Sequence, residues 1–140
     1  MGRSVKVGDT LEIKEMKGTV ETISLRSTTI KDDNGVLSNI PNSILTNNTY
    51  LQYNKKERHR VDLTIGIGLN IDIKEFETYI LDFINRQKGI LKNPKAQVFS
   101  KGINFEESTL KISFWIKDFN KKEKYKSIIT NEIRKYVNNR

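Results

Sequence analysis

The sequence predicts an all-β unit over residues 1–53 and an α+β unit over residues 60–140, joined by a basic junction at 54–59. Three observations predict it. The first third breaks into short β-branched runs separated by Gly, Asn, Asp and Pro, the pattern of a small barrel or sandwich. The stretch Asn54-Lys-Lys-Glu-Arg-His-Arg60 interrupts that pattern, and beyond it apolar residues recur at helical spacing between alternating runs. The length, 140 residues, suits one ordinary domain or two small ones. A chain near this size buries roughly 68–70% of the surface its unfolded form exposes, so a core forms without staples.

Lys6-Val-Gly-Asp9 opens the first unit. Leu11 and Ile13 alternate with Glu12 and Lys14, and Glu15-Met-Lys-Gly18 follows as a turn in which Gly18 takes positive φ without a Cβ clash. From Thr19 to Ile30 β-branched residues dominate, but Val20 and Ile23 fall on opposite faces of a straight strand, which predicts a bulge or bend. Asp33-Asn-Gly35 separates this run from Val36-Leu-Ser-Asn-Ile40 and predicts a hairpin closed by a two-residue primed turn. Pro41 donates no backbone hydrogen bond, so Ile40-Pro-Asn-Ser43 ends the ladder. Thr49-Tyr-Leu-Gln-Tyr53 supplies a last short strand.

In the second unit, Val61, Leu63, Ile65 and Ile67 alternate with Asp62, Thr64 and Gly66 as a half-buried strand should. Asp72 and Glu75 form a capping-box-like start, and Ile73, Phe76, Ile80, Phe83 and Ile84 recur at 3.6 spacing until Gly89 ends the helix. Residues 95–101 and 110–116 read as two more strands. Asn120 and Glu123 cap a final helix whose apolar stripe is Tyr125, Ile128, Ile129, Ile133, Tyr136 and Val137. The order β-α-β-β-α belongs to the ferredoxin-like sandwich without its last strand.

The net charge is +8, with Lys+Arg 25 against Asp+Glu 17 and the His neutral. Residues 1–53 are neutral, so the excess lies in the junction and beyond it. Such an excess attracts anions, nucleic acid or anionic lipid heads. With no Cys there is no disulfide framework, thiolate zinc site or cysteine nucleophile, and the chain reads as intracellular. The most apolar short run, Leu63 to Leu69, falls far below the ~20 residues of a membrane helix. Nothing resembles a secretory signal, and Lys6 defeats the myristoylation pattern.

Few residues stand in a pattern suited to chemistry. His59 is the only His, and the one acid within sequence reach is Glu57, so it reads as a solvated linker residue and not a general base. Ser27 and Ser43 have no local His to activate them. Gly66-Ile-Gly68 lacks the third glycine of a dinucleotide loop, which would fall at Ile71. Asp32-Asp33-Asn34 reads as a turn and not a cation loop, because Ile30 stands where the first ligand belongs. Asn47-Asn-Thr49 is a chance match to a glycosylation acceptor. The basic face of the last helix, Lys121 to Lys135, reads as solvated. No catalytic residue, cofactor or metal site is expected.

The motifs Lys6-Val-Gly-Asp9, Lys17-Gly-Thr-Val20, Leu25-Arg-Ser-Thr28, Asp33-Asn-Gly35, Ile40-Pro-Asn-Ser43, Arg60-Val-Asp-Leu-Thr-Ile-Gly66 and Phe114-Trp-Ile-Lys-Asp118 follow one another. In that order and spacing the chain resembles the cytosolic part of the small-conductance mechanosensitive channel (MscS) family. The resemblance is densest from Lys6 to Ser43, continues through Arg60 to Asp72 and loosens toward Val137. It implies a small Sm-like β barrel beside the membrane and then an α/β domain. Both build the hollow cage of a homo-heptamer through which inorganic ions pass, in the cell's response to hypo-osmotic shock.

Residue by residue, the resemblance makes Gly8, Gly18 and Gly35 turn glycines and Pro41 and Asn42 the strand-ending corner. Asp9, Ser27, Thr28 and Ser43 complete the structural motifs, and Arg26 is a strand position able to bond across a subunit contact. It also implies that pore-lining helices precede Arg3 and that a closing strand follows Arg140. The chain then looks like a soluble segment of a membrane channel, on the cytoplasmic side, unable to conduct ions by itself. Arg3 and Lys6 would lie near anionic lipid head groups. The alternative is a free Sm-like RNA-binding module using Lys55, Lys56, Arg58 and Arg60, with Tyr50 and Tyr53 as its nearby stacking platforms. No nucleic acid is expected on the channel reading.

Overall fold

The computed structural model describes residues 4–140, and the chain divides into two compact units, one ending at Glu57 and the next beginning at Arg58. In the first, β1 (Thr10–Ile13), β2 (Met16–Ile23), β3 (Ser27–Lys31), β4 (Leu37–Pro41) and β5 (Leu51–Tyr53) form one antiparallel sheet in the order β4-β3-β2-β1-β5, with a short helix α1 (Asn42–Asn47) between β4 and β5. Val5, Leu11, Ile13, Val20, Ile30, Ile40 and Leu45 form its core. The register slips between Val20 and Thr22, so the bulge expected from the mismatched faces of Val20 and Ile23 is present.

Two turns differ from the sequence expectation. The first hairpin turns at Lys14 and Glu15, and Lys14, at φ 54°, takes the left-handed position. Gly18 lies inside β2 opposite Leu11, and a Cβ there would stand 2.7 Å from the Lys31 carbonyl oxygen. Its missing side chain therefore permits strand approach and not a turn. The second hairpin forms, but only Gly35 (φ 81°) has positive φ, whereas a primed two-residue turn needs it at Asn34 as well. The loop instead spans Asp33 to Gly35. Gly35 N–H donates to the Asp32 carbonyl, and the Asp32 carboxylate accepts from the Asn34 and Val36 N–H groups, each at 2.9 Å. A side chain that bonds its own turn lets Asn34 keep negative φ.

Helix α1 carries no periodic signal because it is six residues long and buries only Leu45. Pro41, the last residue of β4, precedes it with φ −56°.

The second unit runs β6 (His59–Gly68), α2 (Ile73–Asn85), β7 (Gln97–Ile103), β8 (Glu107–Ile116), a 3-10 turn (Phe119–Lys121) and α3 (Lys122–Asn138). The sheet is antiparallel in the order β6-β8-β7. Its helix-covered face contributes Val61, Ile67, Leu110, Ile112, Phe114 and Ile116. The helices contribute Phe76, Ile80, Ile84, Ile129, Ile133 and Tyr136 to the same core. Asp72 caps α2 by accepting from the Glu75 N–H at 3.2 Å, as the spacing predicts.

The helix ends at Asn85, before Gly89. A Cβ on Gly89 would fall 1.4 Å from the Tyr125 hydroxyl oxygen, so that glycine makes room for a packed ring. At the last helix the capping carboxylate belongs to Asp118, which accepts from the Asn120 N–H as the chain enters the 3-10 turn. His59 is half-buried in β6 opposite Ile116, its ring 5.3 Å from that of Phe119, and is not a solvated linker residue.

Candidate functional site

In the first unit the motif residues converge on two polar knots. The Asp9 carboxylate, 1% exposed, accepts from the Lys6 N–H at 3.0 Å, the Gln52 amide at 3.1 Å and the Lys55 N–H at 2.9 Å. A buried carboxylate is stable only when so bonded, and this one ties the entry segment to the end of β5. Gly8, at φ 98°, makes the turn that brings Lys6 and Asp9 together, and its N–H donates to the Val20 carbonyl. The second knot is Asn42. Its side-chain oxygen accepts from the fully buried Thr28 hydroxyl at 2.8 Å, its amide donates to the Ser24 and Leu25 carbonyls, and its N–H donates to the Arg26 carbonyl.

The motifs Leu25-Arg-Ser-Thr28 and Ile40-Pro-Asn-Ser43 are thus one corner in space. Ser27 closes the bend, its N–H donating to the Ser24 hydroxyl. Arg26 and Ser43 are exposed. Arg3 lies outside the described residues, and the Lys6 side chain is exposed.

The second unit presents something the sequence reading missed. The side of the β6-β8-β7 sheet away from the helices bears Arg60 and Asp62 on β6, Lys111, Ser113 and Trp115 on β8, and Gln97 and Phe99 on β7. All of these but Asp62, together with Pro94 and Lys95, line a groove of about 350 Å³. Lys111 Nζ lies 5.3 Å from the Phe99 ring centre, and the Arg58 guanidinium 5.8 Å from that of Trp115. Next to the groove Asp62 accepts from the Ser113 hydroxyl at 2.8 Å and from Arg60 Nε at 3.1 Å. Burial pushes the Asp62 carboxyl upward, but the Ser113 bond and the charges of Arg60 and Lys111 outweigh it and hold the group below its ordinary range.

The available signal was the alternation Lys111, Ser113, Trp115 against Ile112, Phe114, Ile116. The sequence reading used only the buried half. Of the four residues offered for RNA binding, Lys55 and Lys56 belong to the first unit and Arg58 and Arg60 to the second, with Arg60 engaged by Asp62.

Among the described residues no group of three His, Asp or Glu side chains is placed to hold a metal ion, and no helix is long and apolar enough to cross a membrane. A family model described as the β-domain of mechanosensitive ion channels matches residues 1–55. The chain is 30% identical over 133 residues to an uncharacterized MscS family protein of Aquifex aeolicus, covering 92% of this chain and 36% of that protein. It is 26% identical over 112 residues to the small-conductance mechanosensitive channel of Helicobacter pylori, covering 80% of this chain and 41% of that one. The crystal structure of Helicobacter pylori MscS in its closed state superposes with a TM-score of 0.73 at 25% identity, covering 94% of this chain and 52% of the other. The chain thus spans between about a third and a half of the length of these proteins.

Proposed function

Because the chain belongs to the MscS family of mechanosensitive channels, we propose that it is wall material of the channel's cytosolic vestibule. It is a non-enzymatic module that assembles with copies of itself around a symmetry axis, seven in the family's full-length form, and prefilters ions at charged openings. On this reading the five-stranded unit is an Sm-like barrel next to the cytoplasmic side of the cell membrane. The second is a ferredoxin-like sandwich without its final strand, in keeping with the order β6-β8-β7 and its helix-covered face.

The observation that carries the proposal is the extent of the likeness to a closed-state MscS structure, 94% of the chain at a TM-score of 0.73. Exposed apolar side chains in the first unit support self-assembly. Leu25 is 95% exposed, and Ile23, Val36 and Leu37 are also exposed, which costs free energy in a monomer and none at a subunit contact. Arg26, beside Leu25, is free to meet a carboxylate on a neighbouring subunit.

Expression of the complete gene in cells stripped of mechanosensitive channels tests the reading. Survival of hypo-osmotic shock is expected, and charge reversal at exposed lysines of the second unit should shift the ion preference of the open channel. A frame upstream of Met1 without apolar helices would overturn it. The proximity of Arg3 and Lys6 to lipid, worth roughly 1 kcal/mol per basic residue near an anionic surface, is tested by flotation with phosphatidylserine vesicles. Binding should weaken with salt and with Lys6→Ala; binding indifferent to salt contradicts it.

A further inference from the structure

The open face of the β6-β8-β7 sheet has no role in the vestibule reading, and its composition is specific. Phe99 and Trp115 stand at opposite ends of the groove, on the rows of Lys111 and Arg60 respectively, with Ser113 and Gln97 on the row between them. Cations at 5.3 and 5.8 Å from the two rings mean that any ligand reaching a ring also meets a positive charge. No residue lining the groove is acidic, the neighbouring Asp62 is already bonded to Ser113 and Arg60, and Lys95 and Lys111, with Arg58 beside Trp115, leave the groove electropositive, Glu107 lying farther along the same face beside Gly66. We infer that this groove binds a nucleoside phosphate, the base stacking on Trp115 or Phe99 and the phosphates meeting Lys95 and Lys111.

The class follows from the pairing of features. Cations alone accept any anion, and rings alone accept any flat apolar solute. Together, in a volume typical of small-molecule sites, they favour a ligand that is planar at one end and multiply anionic at the other. The inference is independent of the channel reading, because it concerns the second unit's own face.

Trp115 is the only Trp, so its fluorescence reports the groove directly. Titration of the 140-residue chain with ATP should quench it saturably, with adenosine and pyrophosphate each at least about tenfold weaker, the equivalent of ~1.4 kcal/mol. Lys111→Glu and Phe99→Ala should each weaken ATP by about tenfold, and Lys117→Glu, an exposed charge beyond β8, should leave it unchanged. Far-UV circular dichroism checks that the variants fold, and calorimetry measures the same affinities where fluorescence is silent. Pyrophosphate binding as tightly as ATP would overturn the stacking claim. A single-stranded oligonucleotide binding more tightly than ATP would make the face a strand site, and no heat or quench with ATP would remove the site altogether.

Discussion

Asp9 shows how one residue organises the first unit. Its carboxylate receives two backbone N–H groups and an amide at 1% exposure, so Asp9→Ala leaves those donors without a partner as well as deleting the bonds. We expect a loss of about 3 kcal/mol in urea unfolding, with Asp9→Asn intermediate because the amide restores one acceptor. Glycines divide by what a Cβ would meet. At Gly18 it meets the Lys31 backbone, which cannot move without breaking the sheet. At Gly66 it meets the Glu107 carboxylate, the end of a flexible side chain. Gly18→Ala should therefore cost roughly 1–3 kcal/mol and Gly66→Ala much less, and equal melting shifts would contradict the distinction.

Asp62 carries a pH dependence of known sign. Its folded value lies below the ordinary 3.8, so its bonds stabilise the fold above that pH and are lost as pH falls through and beneath it. Titration of the Asp62 carboxyl carbon by NMR should give a midpoint below 3.8 that rises in Ser113→Ala. A midpoint indifferent to that change would assign the shift to the neighbouring cations alone.

Among the elements, α2 and α3 matter most to the second unit because they supply one side of its core. The Tyr79 hydroxyl on α2 donates to Glu132 on α3, and the Phe76, Tyr79 and Tyr136 rings meet where the helices pack, Phe76 to Tyr136 at 5.4 Å and Tyr79 to Tyr136 at 4.8 Å. Ile129 on α3 is fully buried in the same core, and Ile129→Ala should cost about 2–5 kcal/mol by calorimetry. These helices were legible because thirteen and seventeen residues give an apolar stripe room to repeat. Helix α1 was not, since six residues hold too few turns for a period to show. The turns were misread for a related reason. Glycine at 18 and the Asn-Gly pair signal permission for positive φ, and whether it is used depends on strand register and on the Asp32 side chain.

For the whole molecule, the exposed residues 55–58 lie between two separately packed cores. Exposed chain between packed cores is a preferred site of nicking, so trypsin should cut early after Lys56 or Arg58 and leave two protected fragments. Early cleavage within β6 or α2 would mean that the cores are less independent than their packing implies.

The sequence by itself determined the order of the strands and the two long helices, the neutral first third, the basic remainder and the motif string shared with the channel family, because these reside in residue type and spacing along the chain. Only the tertiary structure decided that Asp9 and Asn42 are knots and not surface polars, that Gly18 and Gly89 make room and not turns, and that Arg60, Phe99, Lys111 and Trp115 share one face. Those facts depend on which strands pair and in what register, and register is set by the burial of the apolar face as a whole.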